Sequence, residues 1–221
     1  LNDASEVNIH QTNPIIADMD EDGLSDGEEI NTHKTDPTAR DTDKDDLPDG
    51  IEVNVLHTNP LVQDTDGDGT IDGDEDADSD SLSNADELDI HETNPTSADT
   101  DEDGLNDGEE LNTHKTDPKV ADTDLDGLND GKEANIFKTN PIVADTDEDG
   151  LSDGSEVNIF STDPLKPDSD NDGLSDGIEV NVVGTKPSVK DSDGDGILDG
   201  NEDTDSDGLS DAEELNKHGT A

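Results

Sequence analysis

The chain has 221 residues, a formal charge of −54 and 24% apolar residues, and its aromatic side chains are Phe137 and Phe160. Such a composition excludes an ordinary hydrophobic core, and by itself it would leave the chain disordered, because too little apolar surface is available to offset the entropy of ordering. The negative field argues against nucleic acid and against direct adsorption to anionic lipid, no apolar run is long enough to insert into a membrane, and no signal-like N-terminus is read.

In chain order, Leu1 to Pro14 (LNDASEVNIHQTNP) fits the second half of a repeat, with Asp3 at loop position nine and Glu6 at twelve. The chain is therefore expected to start inside a repeat. The first complete loop is DMDEDGLSDGEE, from Asp18 to Glu29. Oxygen ligands stand at positions one, three, five, nine and twelve and glycine at six, which is the spacing of an EF-hand-type calcium loop. Alternate side chains of such a turn converge on one hard cation. Without a cation, five carboxylates on one turn would repel each other.

There are ten such loops in all, with a spacing of 23 residues that shortens to 12 in two places. The first-position ligands are Asp18, Asp41, Asp64, Asp76, Asp99, Asp122, Asp145, Asp168, Asp191 and Asp203. Position three holds Asp20, Asp43, Asp66, Asp78, Asp101, Asp124, Asp147, Asp170, Asp193 and Asp205, and position five holds Asp22, Asp45, Asp68, Asp80, Asp103, Asp126, Asp149, Asp172, Asp195 and Asp207. Position nine is Asp26, Asp49, Asp72, Asn84, Asp107, Asp130, Asp153, Asp176, Asp199 and Asp211. Position twelve is Glu29, Glu52, Glu75, Glu87, Glu110, Glu133, Glu156, Glu179, Glu202 and Glu214. These columns take 49 of the 65 acidic residues, a concentration that a merely acidic chain would not show. All fifty positions are assigned as metal ligands, and Ca2+ is the expected ion, about ten per chain and more if connector carboxylates take part. Ten divalent ions would reduce the charge from −54 to −34. Magnesium fits less well, since it prefers strict octahedral sites with retained water.

Between loops run connectors of eleven residues, such as INTHKTDPTAR from Ile30 to Arg40. Asp26-Gly-Glu-Glu29 looks like a capping box, so one or two helical turns are expected from about Gly27 to His33. Thr35-Asp36-Pro37 should end them, because a residue before proline is pushed out of the helical region. The rest of the connector is expected to be extended. The loop at Asp41 carries Asp46 at position six and Pro48 inside the turn, and is expected to be weaker or distorted. The loop at Asp64 runs directly into the one at Asp76, where Ser81 takes position six. A second tandem pair follows at Asp191 and Asp203, 127 residues on, which suggests a higher-order repeat. ELNKHGTA, from Glu214 to Ala221, stops partway through a connector, so a fragment of a longer array is expected.

Apolar residues also fall in columns. Position seven is Leu24, Leu47, Leu82, Leu105, Leu128, Leu151, Leu174, Ile197 or Leu209, with Thr70 as the exception. The residue after the last ligand is Ile30, Val53, Leu88, Leu111, Ala134, Val157, Val180 or Leu215. Two or three such side chains per repeat suit a quasi-one-dimensional array whose units touch only their neighbours. Five of the six histidines (His10, His33, His91, His114, His218) share a column with Leu56, Phe137, Phe160 and Val183, which marks a packing position. Lys34, Lys115 and Lys138 in the next column are read as charge-balancing surface residues, and the off-column Asp36, Asp117 and Asp163 as turn caps.

DxDxDGLxDxxE loops alternating with TDP or TNP connectors resemble the thrombospondin type 3 repeat family, and most closely its cysteine-free bacterial relatives. The resemblance spans essentially residues 1–221 as one continuous array and implies an elongated, calcium-stabilised fold with few regular secondary structures, outside the cell. It further implies a region that links or extends the domains of surface or secreted proteins, so the expected partners are flanking domains of the same protein and other copies of the chain. Animal members carry disulfides; this chain has no cysteine, so its order should depend more heavily on calcium.

An enzyme is not expected. There is no cysteine nucleophile, no phosphate-cradling glycine motif and almost no apolar material for a pocket, and a carboxylate bound to calcium is a poor general base. A calmodulin-like sensor would need paired amphipathic helices and a methionine-rich groove, whereas Met19 is the only methionine. A dockerin-like module would use two loops with substantial helices. The expected role is a calcium-stiffened extracellular spacer, with a self-associating filament, matrix or adhesion component as the alternative.

Overall fold

The computed structural model describes residues 10–218, with side chains through Leu215. The readings made for Leu1, Asp3, Glu6 and the last residues lie outside that range. The chain divides into two compact units, one taking the chain up to Thr100 together with Asn106–Gly108, the other taking Asp101–Leu105 together with the chain from Glu109 onward. Among the described residues there are eight short α-helical segments and no strand.

In the first unit each full repeat has the same helical piece, an α turn that widens into a π turn. The pairs are Asp26–Glu28 with Glu29–His33, Asp49–Ile51 with Glu52–Leu56, and Asn84–Asp86 with Glu87–His91. The cap is one residue earlier than the sequence suggests. Ser25, not Asp26, accepts the N–H of Glu28, and the Glu28 carboxylate returns to Ser25, so the box sits on Ser25 and Glu28. The end falls at His33, as expected, but a different residue sets it. Lys34 takes the left-handed conformation (φ 71°) and its N–H closes back on the carbonyl of Glu29 at 2.6 Å, stopping the turn before Thr35-Asp36-Pro37 is reached. The Lys34 ammonium then donates to the carbonyls of Ile30 and Asn31, and those of Lys115 and Lys138 do likewise in their own repeats. This lysine column caps helix ends besides carrying charge.

The connector is not extended beyond that point. Asp36 to Ala39 form a β-turn, closed by the Ala39 N–H on the Asp36 carbonyl at 2.9 Å, with Pro37 in the second place where its fixed φ is favoured. Asp36 accepts from the N–H and hydroxyl of Thr38, and Asp117 from the Lys119 N–H, which is the turn-capping role expected of them. Asp163 accepts from the Leu165 N–H and pairs with Lys166.

The second unit repeats the plan at Asp130–Lys132 with Glu133–Phe137, Asp153–Ser155 with Glu156–Phe160, and Asp176–Ile178 with Glu179–Val183. Both tandem pairs depart from it in the same way. Their first loops end in a single 3-10 turn, Asp72–Asp74 in the first unit and Asp199–Asn201 in the second, and the glutamate that follows is extended rather than helical.

The hydrocarbon core consists of Leu24, Leu47, Leu82, Leu105, Leu128, Leu151 and Leu174. Ile197 and Leu209 stay 47% and 42% exposed, and Thr70 is only half-buried, so the leucine strip runs through the full repeats but not through every tandem loop. The column of His33, His91, His114, Phe137 and Phe160 is half-buried. Beside the leucines, seven glutamates are wholly buried: Glu29, Glu52, Glu87, Glu110, Glu133, Glu156 and Glu179. A core made as much of carboxylate as of hydrocarbon needs a positive charge inside it.

Candidate metal centres

Each loop is shaped by its own aspartates. At position one, Asp18 accepts the N–H of Glu21 at 2.8 Å and of Gly23 at 3.2 Å. At position five, Asp22 accepts from Leu24 at 2.6 Å. Position nine reaches back to position two, Asp26 to Met19 at 2.9 Å, and the Asp26 N–H returns to the Ala17 carbonyl to close the loop. The same bonds recur at the loops of Asp122, Asp145 and Asp168. Two residues per loop turn left-handed. Position six was expected to; position four, held by Glu21, Lys44, Leu125 or Glu148 among others, does so as well, at about 1 kcal/mol for each non-glycine residue.

The loop at Asp41 shows no distortion. Asp46 adopts φ 74° and donates to Asp41 at 3.1 Å as glycine does elsewhere, Leu47 is fully buried, and Pro48 fits because its position precedes the helical turn and is extended. In the loop at Asp76, Ser81 takes φ 82° and donates to Asp76 at 3.0 Å.

These bonds leave a further set of carboxylate oxygens turned inward. Both oxygens of Asp20, Asp43, Asp78 and Asp170, and the Oε2 atoms of Glu29, Glu52, Glu87, Glu133, Glu156 and Glu179, are buried with no hydrogen-bond donor. Buried carboxylate oxygens without donors cost several kcal/mol each unless a cation meets them, so the donor set fits a hard divalent ion. Acid oxygens of Asp18, Asp20 and Asp22 lie within 4.8 Å of one another, as do those of Asp41, Asp43 and Asp45, and of Asp64, Asp66 and Asp68.

A second kind of cluster was not anticipated. Asp22, Glu29 and Asp49 also bring oxygens within 4.8 Å, and so do Asp45, Glu52 and Asp72. Here positions five and twelve of one loop meet position nine of the next. In the second unit the preceding loop acts on position nine in the same way. Burial first, and then the carboxylates of Asp126 and Asp149, hold Asp153 and Asp176 respectively above the ordinary range. The contact is made possible by glycine at position ten. A Cβ on Gly50 would lie 2.3 Å from the Asp22 carbonyl oxygen, and one on Gly177 2.2 Å from that of Asp149. The N–H of Gly177 also donates to the Asp149 carboxylate at 2.8 Å, and that of Gly131 to Asp103 at 2.6 Å.

Threonines hold the ligands in place, another role the sequence reading missed. The connector threonine donates to the buried glutamate, Thr35 to Glu29 at 3.2 Å and Thr139 to Glu133 at 3.2 Å. The position-two threonine donates to position nine, Thr123 to Asp130 at 2.6 Å, while accepting the Asp117 N–H. Such outer contacts fix ligand orientation.

Of the remaining assigned residues, those of the loop at Asp99 are divided between the units, Asp99 and Asp107 in the first and Asp101, Asp103 and Glu110 in the second. Glu75 and Glu202 stay only half-buried, though each is raised by burial and then by its own loop's aspartates, which places them beside those loops. In the loop at Asp203, Asp205 and Asp207 are exposed and Asp211 is buried.

Electrostatics follow from this crowding. Burial, then Asp20 and Asp22, push Glu29 up to about 8; burial, then Asp45 and Asp43, push Glu52 up to about 9. Asp20 and Asp147 rise to about 6 by the same causes. These acids are raised in the folded state, so the ion-free fold is favoured below their unfolded values near 4 and loses that support as pH rises towards 8. Cation binding must then displace protons. Calorimetric titration with divalent ion at pH 7, in two buffers of different ionisation enthalpy, should show net proton release that fades above about pH 9. Equal heats in both buffers at pH 7 would refute it.

The bacterial TSP3 repeat matches residues 18–39, 99–121, 122–144, 145–167, 168–188 and 203–220, together more than half of the chain. The loops at Asp41, Asp64, Asp76 and Asp191 fall outside those ranges. Among curated proteins none matches. Two solved structures share a segment with it: a B domain of a biofilm-associated protein, 47% identical over 20% of this chain and 11% of that one with a TM-score of 0.20, and a BSP domain of a biofilm-associated protein, 42% identical over 20% and 7% with a TM-score of 0.19. The chain thus covers only a small part of either. No helix among the described residues is long and apolar enough to cross a membrane. With its six matched segments and its acid clusters, the chain belongs to the bacterial TSP3 repeat family, a structural, calcium-binding repeat.

Proposed function

We propose that this region is a calcium-stiffened extracellular spacer within a larger surface or secreted protein. The observation that carries the reading is the column of buried glutamates, in which Glu29, Glu52, Glu87, Glu133, Glu156 and Glu179 have one oxygen lacking a donor and, at Glu29 and Glu52, lie beside an aspartate of the next loop. An ion there ties consecutive repeats together, so stiffness along the chain becomes a function of calcium. Calcium suits these sites because several carboxylates and flexible loops favour a large ion with many oxygen ligands. The clusters shared between loops support more than ten ions per chain. Loops of weak extracellular affinity, roughly 10⁻⁴ to 10⁻³ M, would fill outside a cell and stay empty in cytosol.

Ions that bind only the folded chain stabilise it by about 2.7 kcal/mol per site at a hundredfold excess over Kd. Small-angle scattering should therefore show a stiff, extended particle in calcium and a flexible coil after chelation. An unchanged particle after exhaustive chelation would overturn the proposal. A second reading, side-by-side association, is favoured by Ile136, Ile159 and Val182, which stand 66%, 69% and 56% exposed at one column of successive repeats. Growth of the particle with calcium and concentration would support it, and a constant mass across the series would exclude it.

A further inference from the structure

The loops at Asp64 and Asp76, which follow each other without a connector, meet differently from loops a full 23-residue step apart. At a full step, position nine is a carboxylate facing the preceding loop: Asp49 meets Asp22 and Glu29, Asp72 meets Asp45 and Glu52, and Asp72 keeps Oδ2 buried without a donor. In the loop at Asp76 that column holds Asn84. It is 1% exposed, and both ends of its amide are engaged. Oδ1 accepts the Ala77 N–H at 3.1 Å, and Nδ2 donates to the Asp72 carbonyl at 2.8 Å. Those partners dictate the amide's orientation, because an N–H needs an acceptor and a carbonyl a donor.

One neighbour matches the exchange. Position two is Ala77, whereas Thr42, Thr100, Thr123 and Thr146 put a hydroxyl on the second oxygen of their aspartates. An amide nitrogen is itself a donor and has no use for one. Position ten is Ala85, as it is Ala212 in the other tandem pair, so the alanine follows the short step and not the amide. The other tandem pair keeps the usual chemistry, since Thr204 donates to Asp211 at 2.7 Å.

We propose that Asn84 frees this one junction from the cation. Its amide nitrogen hydrogen-bonds across the junction where the neighbouring steps need a divalent ion between carboxylates, so the loops at Asp64 and Asp76 stay docked at calcium levels where full steps separate. The inference rests on the calcium reading for the full steps. Hydrogen exchange of the whole chain across a free-calcium series tests it, with the peptide covering 72–85 compared with that covering 145–154. In the parent chain, 72–85 should keep its protection to about tenfold lower free calcium, and Asn84→Asp should bring the two midpoints to within about twofold. The 199–211 peptide should follow the full steps in both chains. Opening of 72–85 together with 145–154 in the parent, or a lead that survives Asn84→Asp, would overturn the assignment of Asn84 alone. Protection indifferent to calcium throughout would overturn the calcium reading and this inference with it.

Discussion

Glu156→Gln should act in opposite directions with and without calcium. Glu156 is fully buried, Thr162 donates to its Oε1 at 3.2 Å, and its Oε2 has no donor. Glutamine keeps the shape and the threonine contact but removes the charge an ion would meet. In calcium the variant should lose roughly 3–5 kcal/mol at that site, the usual cost of removing one partner from a buried pair, or about two to four orders of magnitude in affinity. After chelation it should be better ordered than the parent. Burial, then Asp147 and Asp149, push Glu156 up to about 8, so at pH 8 the ion-free parent carries a repelling charge that glutamine lacks. Calcium titration followed by circular dichroism in chelator would read both halves. A variant less ordered than the parent in both conditions would mean that Glu156 serves packing rather than ion binding.

Gly154→Ala should separate the loops at Asp122 and Asp145 although it touches no ligand side chain of its own loop. The added methyl would sit 2.5 Å from the Asp126 carbonyl oxygen and 2.9 Å from its carboxylate, both closer than real contacts allow. The Gly154 N–H, which donates to Asp126, would be forced away. A cost of about 1–3 kcal/mol is expected from the overpacking, together with weaker calcium binding in both loops. Ala85→Gly is the matched control, with only the roughly 0.5–1 kcal/mol of added chain entropy. Thermal unfolding in saturating calcium distinguishes them. Equal losses for the two variants would show that the close approach at Gly154 carries no particular weight.

The ligand columns were legible because an ion dictates both residue type and spacing within twelve residues of chain. Seven leucines of the core strip were legible for the same local reason. The junctions between loops escaped because they are set by contacts some 28 residues away. Position ten is glycine in eight of the ten loops and alanine at Ala85 and Ala212, the two loops that follow a 12-residue step, so its dependence on step length was printed in the sequence. It becomes meaningful only once Gly50 and Gly177 are seen against the preceding loop's backbone. Gly67 and Gly194 hinted at the left-handed turn in position four, a hint masked by the charged residues that tolerate it elsewhere. The connector threonine was read with its neighbouring proline as a helix stop, because its bond to the glutamate six residues earlier depends on the intervening π turn.

Every bond that shapes a loop closes within about ten residues, and the contacts joining full repeats reach back 19 to 31 residues, as from Lys190 to Asn171 or Asn158 to Gly127. Excising or duplicating one 23-residue unit between equivalent glycines would hand each surviving repeat a neighbour with the same chemistry. Repeat number is thus a quantity that can change in whole increments, leaving every ion site intact while resetting how many of them lie in series.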